Sequence, residues 1–153
     1  MAIYYLDSSA VIKRYVAERG SEAMRALCGS AENTVFLSEL ALVEVGSALA
    51  RRHKGGGISD EERRSYLDLF IGDCTQDYHL IPADRRAIDQ AVGLTQAHAL
   101  RGYDALQLAC ALVASDLLRA AGVGPLRFVS ADEELLAAAE AERLPAVNPN
   151  ASG

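Results

Sequence analysis

The sequence lacks several features that would assign the chain to common classes of protein. No apolar run approaches the roughly 20 residues that a membrane-spanning helix needs, and the opening residues 1–6 meet Asp7 too early for a signal sequence. Cys28, Cys74 and Cys110 are few, odd in number and far apart, and they lack the C-x-x-C spacing of zinc and redox sites. We therefore expect a cytoplasmic protein without a membrane partner, whose cysteines are buried thiols.

Basic residues are also in the minority, since 15 Lys and Arg face 21 Asp and Glu and leave a formal net charge of -6. This balance argues against a protein that coats nucleic acid through a broad basic surface, because neutralisation of phosphates supplies most of the non-specific attraction. It does not exclude a localised cleft. Cations bound by converging acids can reverse the sign of the charge that a phosphate meets there.

What is present is enough apolar material for one ordinary core. Of the 153 residues, 50% are hydrophobic, which removes the need for a structural metal or a disulfide. We predict one domain over residues 1–147, followed by a tail over residues 148–153 that frays. Short β-like runs alternate with longer helical patterns, and this alternation predicts a three-layer α/β/α sandwich with a mostly parallel central sheet.

The predicted elements are distributed along the whole chain. Strands are expected over residues 3–6, 34–37, 78–81 and 126–130, with a weaker one at residues 146–147. Helices are expected over residues 8–17, 21–28, 38–53, 59–72, 84–98, 103–121 and 132–142. Three glycines at 55–57 predict a turn between two antiparallel helices, and residues 59–62 have the pattern of a capping box at the start of the second helix.

Two acids, Asp7 and Asp132, follow predicted strands directly. Asp7 is also a good N-cap for the next helix, so its position alone leaves both roles open. At Asp132, by contrast, Ser130 and Glu133 can supply the cap and leave the carboxylate of Asp132 free. Ligand sites in open α/β sheets lie beyond the carboxyl ends of the strands, and we therefore expect both acids at the same edge of the sheet.

Two further acids, Glu44 and Asp104, lie in apolar helical patterns. Glu44 is the only charged residue between Leu40 and Ala50. Burial of an unpaired carboxylate is costly, so Glu44 predicts a partner, either a metal, a base or a proton; the alternative is a helix face that is solvated at this point. Asp104 and Gln107 have the spacing of a capping box, which is a structural alternative for Asp104.

The four acids Asp7, Glu44, Asp104 and Asp132 are expected to converge. Two carboxylates about 4 Å apart repel by roughly 4 kcal/mol at an effective dielectric constant near 20, so such a cluster needs cations or bound protons. Carboxylate oxygens without His or Cys nearby in the sequence favour Mg²⁺ or Mn²⁺ over zinc. The pattern therefore predicts a binding site for Mg²⁺ or Mn²⁺.

The segments around these acids resemble the PIN-domain family, most closely the VapC-type toxins of bacterial toxin–antitoxin pairs. The resemblance extends over essentially the whole chain and rests on residues 6–10, 42–45, 103–109, 129–132 and 144–149. It implies a central parallel sheet, Mg²⁺- or Mn²⁺-dependent endoribonuclease activity, a VapB-type antitoxin that blocks the site, and a homodimer. It also implies that the metal is bound by Asp7, Glu44, Asp104 and Asp132, with Ser9 and Ser130 as the hydroxyl residues that support the acids.

Basic residues near these acids are candidates for binding the phosphates of RNA. They are Lys13, Arg14, Arg51, Arg52 and Arg101. Cations at the end of a helix also complement its dipole, so a purely structural role stays open for residues 51–54.

A partner is predicted on separate grounds, because the two helices beside the glycine turn carry more apolar positions than one core-facing stripe uses. These positions are Leu42, Val45, Leu49, Tyr66, Leu69 and Phe70. The surplus predicts an interface, either with a second copy of the chain or with an antitoxin.

Two other functions are compatible with the pattern. An inactive module could keep the fold and bind only a metal or a protein. Phosphotransfer through an aspartyl phosphate would also place an acid after the first strand, but Asp7-Ser8-Ser9 lacks the second Asp of a D-x-D motif. The function predicted first is therefore metal-dependent hydrolysis of an RNA phosphodiester.

Overall fold

A five-stranded sheet forms the centre of the computed structural model, which describes residues 1–152. Its strands are β1 (Ala2–Leu6), β2 (Asn33–Ser38), β3 (His79–Ile81), β4 (Leu126–Val129) and β5 (Ala146–Val147). The spatial order is β3-β2-β1-β4-β5, and every neighbouring pair is parallel. The carboxyl ends of β1 and β4, which precede two of the four acids, therefore lie side by side.

Seven α-helices within the described residues cover both faces of the sheet. They are α1 (Ser8–Val11), α2 (Ser21–Gly29), α3 (Leu40–Lys54), α4 (Asp60–Gln76), α5 (Arg85–His98), α6 (Gly102–Ala120) and α7 (Glu133–Ala141). The buried residues of α1 to α4 form one core cluster with the sheet, and those of α5 to α7 form another on the opposite face. The predicted three-layer α/β/α sandwich is confirmed. Within residues 1–152, no helix combines the length and apolar character needed to cross a bilayer.

The central strand β1 is buried on both sides because it lies between two helical layers. Successive side chains of a strand point to opposite faces, so Ile3 and Tyr5 enter the core with α5 to α7, whereas Leu6 enters the other core. The Tyr5 ring stacks on Phe128 of β4, with centroids 5.6 Å apart and planes at 9°. This packing fixes the strand that ends in Asp7.

Helix α6 contains more buried residues than any other described element. Its residues 107–115 are all buried, a pattern that only a helix enclosed on several sides can have. It packs mainly against α5 and also contacts β2 and β4. The exposed N-terminal turn brings Asp104 to the carboxyl edge of the sheet, and Gln107 lies one turn deeper.

The segment after β1 departs from the predicted helix over residues 8–17. The α-helix ends at Val11, and a 3-10 turn follows over Ile12–Arg14. Lys13 and Arg14 are consecutive in this turn and point in different directions, as neighbouring side chains do in any helix. The capping box before α4 is confirmed, because the Ser59 hydroxyl accepts from the Glu62 amide and the Glu62 carboxylate accepts from the Ser59 amide.

The end of the chain also differs from the predicted fraying tail. A 3-10 turn spans Pro149–Ser152, and Pro149 is buried. Its backbone lies against Gly20, where an added Cβ would be 3.2 Å from the Pro149 carbonyl carbon and the φ angle is +88°. This contact joins the tail to a glycine that is distant in the sequence, so no pattern within the tail itself predicts it. Gly153 lies outside the described residues.

The surplus of apolar residues on α3 and α4 is largely absorbed by the core, so this basis for an interface is wrong. Val45, Leu49 and Phe70 are fully buried, and Leu42 and Tyr66 pack partly against the same cluster. Leu69 alone among the six is exposed. The two helices pack both on each other and on the sheet, so each uses more than one apolar stripe.

The cysteines are unpaired, as expected. Cys74 and Cys110 are buried, whereas Cys28 is only partly buried. Burial raises the pKa of all three thiols, which keeps them protonated and poorly reactive.

Candidate active site

Asp7 lies where β1 ends and α1 begins, and its carboxylate is almost completely enclosed, with 4% of the residue exposed. One oxygen accepts from the Ala10 amide at 2.9 Å and from the Ser9 hydroxyl at 2.7 Å, and the other accepts from the Ser130 hydroxyl at 2.6 Å. Asp7 thus has the N-cap role that was the structural alternative. Burial nevertheless raises its pKa to about 6, with a smaller contribution from the charge of Glu44.

Ser9 and Ser130 join the ends of β1 and β4. The Ser9 hydroxyl accepts from the Ala131 amide at 3.0 Å, and the Ser130 hydroxyl accepts from the Asp132 amide at 3.0 Å. Both hydroxyls donate to Asp7. The two serines named by the resemblance therefore hold the Asp7 carboxylate in one orientation and tie it to the turn that carries Asp132.

Asp132 is itself the N-cap of α7, because its Oδ1 accepts from the Leu135 amide at 3.2 Å. The expectation that Ser130 and Glu133 form this cap is wrong, since the Ser130 hydroxyl is engaged with Asp7. Oδ2 of Asp132 has no hydrogen bond within the described residues. One oxygen thus holds the helix and the other is available to a ligand.

Glu44 projects from the second turn of α3 and is half-buried. Its Oε1 accepts from the Ser8 hydroxyl at 2.9 Å and from the Gln107 amide nitrogen at 2.6 Å. Oε2 has no hydrogen bond or ion pair with any residue in the range 1–152. Glu44 therefore has two neutral polar partners, neither of them the metal, base or proton predicted for it, and a fully solvated helix face does not describe it.

Gln107 is a site residue that sequence reasoning missed. It is 2% exposed, its Nε2 donates to Glu44 and Ser8, and its Oε1 accepts from the Tyr5 hydroxyl at 2.6 Å. Burial raises the pKa of Tyr5 far above its usual value, so that hydroxyl keeps its proton. Gln107 could have been found as a lone polar residue in an apolar helical stripe, which is the pattern that identified Glu44.

Asp104 belongs to the exposed first turn of α6 and is half-buried. The capping box considered for it does not form, because the N-cap is Arg101 and Gln107 faces Glu44. Burial raises the pKa of Asp104, as do the charges of Asp132 and Glu44, while Arg101 opposes them. No hydrogen bond or ion pair to its carboxylate is found within residues 1–152.

The structure brings the four acids to one edge of the sheet in an open arrangement. Glu44 is the central member, because its charge raises the pKa of both Asp7 and Asp104. Over residues 1–152, no three His, Cys, Asp or Glu side chains are grouped closely enough to form a ready metal cage. Such an arrangement suits Mg²⁺, which is usually bound through one or two carboxylates and keeps several waters, better than a closed zinc site.

Two adjoining cavities lie at these acids. One, of about 580 Å³, is lined by Ser8, Glu44 and several basic side chains. The other, of about 550 Å³, is lined by Arg101, Asp104 and their neighbours. Glu44 and Tyr103 line both. Glu44 and Asp104 are therefore accessible to a ligand much larger than a metal ion, whereas Asp7 and Asp132 line neither cavity.

Four of the five basic candidates line these cavities. Lys13 is buried, and its Nζ donates to Glu18 at 3.2 Å and to the Arg19 carbonyl at 2.8 Å. Arg52 donates to the other oxygen of Glu18 at 2.9 Å. Arg51 and Arg101 are exposed and have no ion pair within the described part of the chain.

Arg14, the fifth candidate, is not brought to the site. Its guanidinium donates to the Tyr78 hydroxyl at 2.8 Å and pairs with Asp73 at 3.4 Å. It also lies over the rings of Tyr15 and Tyr78. Arg14 therefore packs against the aromatic residues of the core behind α1 and does not reach the cavities.

The model of the PIN-domain family matches residues 4–141, a range that contains all four acids. The chain belongs to the PIN-domain family. This PIN domain is also similar to Ribonuclease VapC45 of Mycobacterium tuberculosis (strain CDC 1551 / Oshkosh), with 32% identity in an alignment of 123 positions that covers 76% of this chain and 79% of the relative.

Solved structures share the fold of this PIN domain at low identity. PAE2754 from Pyrobaculum aerophilum has a TM-score of 0.65 and 16% identity over 99% of this chain and 92% of its own. VapBC2 from Rickettsia felis, bound to a DNA fragment from its promoter, has a TM-score of 0.61 and 16% identity over 95% of this chain and 98% of its own. The fold is thus retained where few residues are identical.

Proposed function

We propose that this PIN domain is a divalent-metal-dependent endoribonuclease and the toxin of a toxin–antitoxin pair. The observation that carries the proposal is the placement of Asp7, Glu44, Asp104 and Asp132 at one edge of the sheet, beside cavities with basic walls. The ribonuclease relative supports RNA as the substrate class.

The four acids fit Mg²⁺ or Mn²⁺ by their chemistry. All are hard oxygen donors, and Glu44 and Asp132 each keep an oxygen that no described residue occupies. The raised pKa values of Asp7 and Asp104 indicate that a cation here would stabilise the charged carboxylates. When bound, such a cation acidifies a water and neutralises charge on the phosphate.

The protein's own groups orient the acids and receive the proton. Ser9 and Ser130 hold Asp7, while Ser8 and Gln107 hold Glu44. Asp104 is the acid of the four that accepts no hydrogen bond within residues 1–152, so its carboxylate is the best candidate to accept a proton from the attacking water.

The cavity walls supply contacts for RNA. Arg51 and Arg101 present free guanidinium groups, which can hold phosphates on either side of the cleaved bond. Tyr103 is 62% exposed between the two cavities and offers a ring on which a base can stack. Glu18 screens Lys13 and Arg52, so their contribution requires displacement of this carboxylate.

A VapB-type antitoxin and a homodimer complete the proposal. The Rickettsia felis relative of this fold is a VapBC2 protein, which supports an antitoxin for this chain as well. Val43, 69% exposed on the cavity wall, and Tyr103 give apolar contact area to a partner that covers the site. Light scattering at micromolar concentration should show a dimer, and a lone monomer would contradict that part. Cytoplasmic location stays a prediction.

Cleavage of total RNA by the purified protein tests the activity. We expect fragments with Mg²⁺ or Mn²⁺, none with EDTA, and loss of cleavage in Glu44→Gln and Asp104→Asn without loss of folding. The matched controls Glu22→Gln and Asp68→Asn remove exposed acids elsewhere and should cleave normally. If the wild type leaves every RNA intact with either metal, the inactive binding module is the better description; a trapped phosphoenzyme would instead favour phosphotransfer.

A further inference from the structure

A buried chain of hydrogen bonds runs from the core to the most central acid. The Tyr5 hydroxyl donates to Oε1 of Gln107 at 2.6 Å, and Nε2 of Gln107 donates to Oε1 of Glu44 at 2.6 Å and to the Ser8 hydroxyl at 3.1 Å. Tyr5 is 0% and Gln107 2% exposed. The chain thus connects the sheet centre to the cavity through groups that water does not reach.

All donors from the protein converge on one oxygen of Glu44. Ser8 and Gln107 both donate to Oε1, at 2.9 and 2.6 Å. Oε2 has no protein donor within residues 1–152. A carboxylate held in this way keeps one orientation of its plane, because rotation away from that plane would break both hydrogen bonds.

The Glu44 carboxylate determines which end of the Gln107 amide faces it. If the amide were reversed, its oxygen would face the carboxylate, and two acceptors would meet without a proton between them. The Tyr5 hydroxyl, which can donate or accept, completes the observed orientation by donating to the amide oxygen. The stacking of Tyr5 on Phe128 keeps the hydroxyl in place.

We propose that Gln107 is the positioning residue of Glu44: it holds one oxygen of the carboxylate in place and so leaves the other oxygen, which has no protein donor within residues 1–152, free to bind the cation of the proposed function. This inference rests on the proposed function, because a fixed orientation of the Glu44 carboxylate matters only if that carboxylate binds a metal ion. The short bond to Glu44 and the shared contact with Ser8, the neighbour of Asp7, are explained by positioning.

The test measures binding of Mn²⁺ in the absence of RNA, from the electron paramagnetic resonance spectrum of free Mn²⁺. Gln107→Met keeps the length of the side chain but removes both polar ends. We expect it to bind Mn²⁺ about 10–100-fold more weakly, the range typical of lost outer-shell partners of metal ligands. Ser115→Ala, at a buried polar residue of the same helix, should bind as the wild type does.

A double variant separates positioning from folding. Gln107→Met leaves the Tyr5 hydroxyl buried without a partner, which lowers the melting temperature. Adding Tyr5→Phe removes that hydroxyl, so the double variant should regain thermal stability while its Mn²⁺ affinity stays low. A merely structural role of Gln107 would restore both together.

The outcomes distinguish this inference from the proposed function. If the wild type binds Mn²⁺ and cleaves RNA while Gln107→Met binds Mn²⁺ equally tightly, the inference alone is overturned. Recovery of Mn²⁺ affinity in the double variant overturns it as well. A wild type that neither binds Mn²⁺ nor cleaves RNA overturns the proposed function and this inference with it.

Discussion

At the scale of single residues, the site holds carboxylates in places where a charge is unfavourable. Asp7 is 4% exposed and accepts three hydrogen bonds, yet burial outweighs these bonds and its pKa rises to about 6. A side chain that destabilises the metal-free protein is consistent with selection for binding rather than for folding.

Asp7→Asn should therefore stabilise the metal-free protein in a pH-dependent way. The folded-state pKa lies above the ordinary value of 3.8, so the stability that Asp7 contributes is present below pH 3.8 and is lost as the pH rises through about 6. In EDTA, the gain in unfolding free energy of Asp7→Asn over the wild type should grow by up to roughly 3 kcal/mol between about pH 4 and about pH 8.

Urea unfolding at the two pH values measures this gain. Comparing the variant with the wild type at each pH cancels the titration of all other groups. A gain that is equal at both pH values would show that the Asp7 carboxylate is not destabilised by burial. Added Mg²⁺ should stabilise the wild type and leave Asp7→Asn nearly unchanged.

Arg14 and Arg51 each follow one of the four acids by seven residues, but we expect Arg51 to bind RNA and Arg14 to stabilise the fold. Arg51→Ala should weaken RNA binding by about 1 kcal/mol, roughly fivefold, without changing stability, because its guanidinium lines the cavity without an ion pair in the described chain. RNA affinity is measured in the Glu44→Gln background, which prevents cleavage.

Arg14→Ala is the matched comparison. It should lower the unfolding free energy by about 1–3 kcal/mol, because the Tyr78 hydroxyl and the Asp73 carboxylate lose a shared partner. RNA affinity should stay at the wild-type value. Weaker RNA binding in Arg14→Ala with unchanged stability would return this residue to the substrate-binding set.

At the scale of elements, the start of α4 is determined by local sequence. Ser59 and Glu62 exchange both hydrogen bonds of a capping box, and Asp60, Glu61 and Glu62 complement the positive end of the helix dipole. These contacts are made within four residues and need nothing from the rest of the fold. The helix therefore begins where the pattern predicts.

Ser59→Ala should lower the unfolding free energy by about 1 kcal/mol and leave RNA cleavage unchanged, because the cap lies outside the residues that line the two cavities. The matched control is Ser65→Ala, an exposed position inside the same helix, which should be neutral or slightly stabilising because Ala is the better helix former. Equal effects of the two variants in thermal unfolding would argue against the cap.

At the scale of the whole molecule, a net charge of -6 coexists with a site proposed for a polyanion. The attraction has to be local, since only Lys13, Arg51, Arg52 and Arg101 line the two cavities among the basic candidates. Two of these cations are already paired with Glu18. The RNA affinity of this protein should therefore fall less steeply with salt concentration than the affinity of a protein with a broad basic surface.

We expect the logarithm of the RNA association constant to fall with the logarithm of salt concentration with a slope between about -1.4 and -2.8, for two to four phosphates on a single strand. Filter binding of Glu44→Gln at several salt concentrations measures it. A slope well beyond about -4 would indicate a broad basic surface and contradict a localised cleft.

Local patterns in the sequence predicted much of the fold of this protein. The alternation of strands and helices specified the parallel sandwich, because each element has a periodicity that can be read within one window of sequence. Asp7 and Glu44 were also identified from local patterns. Asp7 directly follows a predicted strand, and Glu44 is the only charged residue in an apolar helical segment. The contacts of these acids were not accessible in this way.

By itself, the sequence determined the order and type of the main elements, where α4 begins and which acids are available to meet. Only the tertiary structure decided that Gln107 holds Glu44, that Ser130 serves Asp7 rather than α7, that Arg14 joins the core, and that Pro149 packs on Gly20. The physical reason is that capping and periodicity act within a few residues, whereas these contacts join segments up to 129 positions apart whose relative placement follows from packing of the whole sheet.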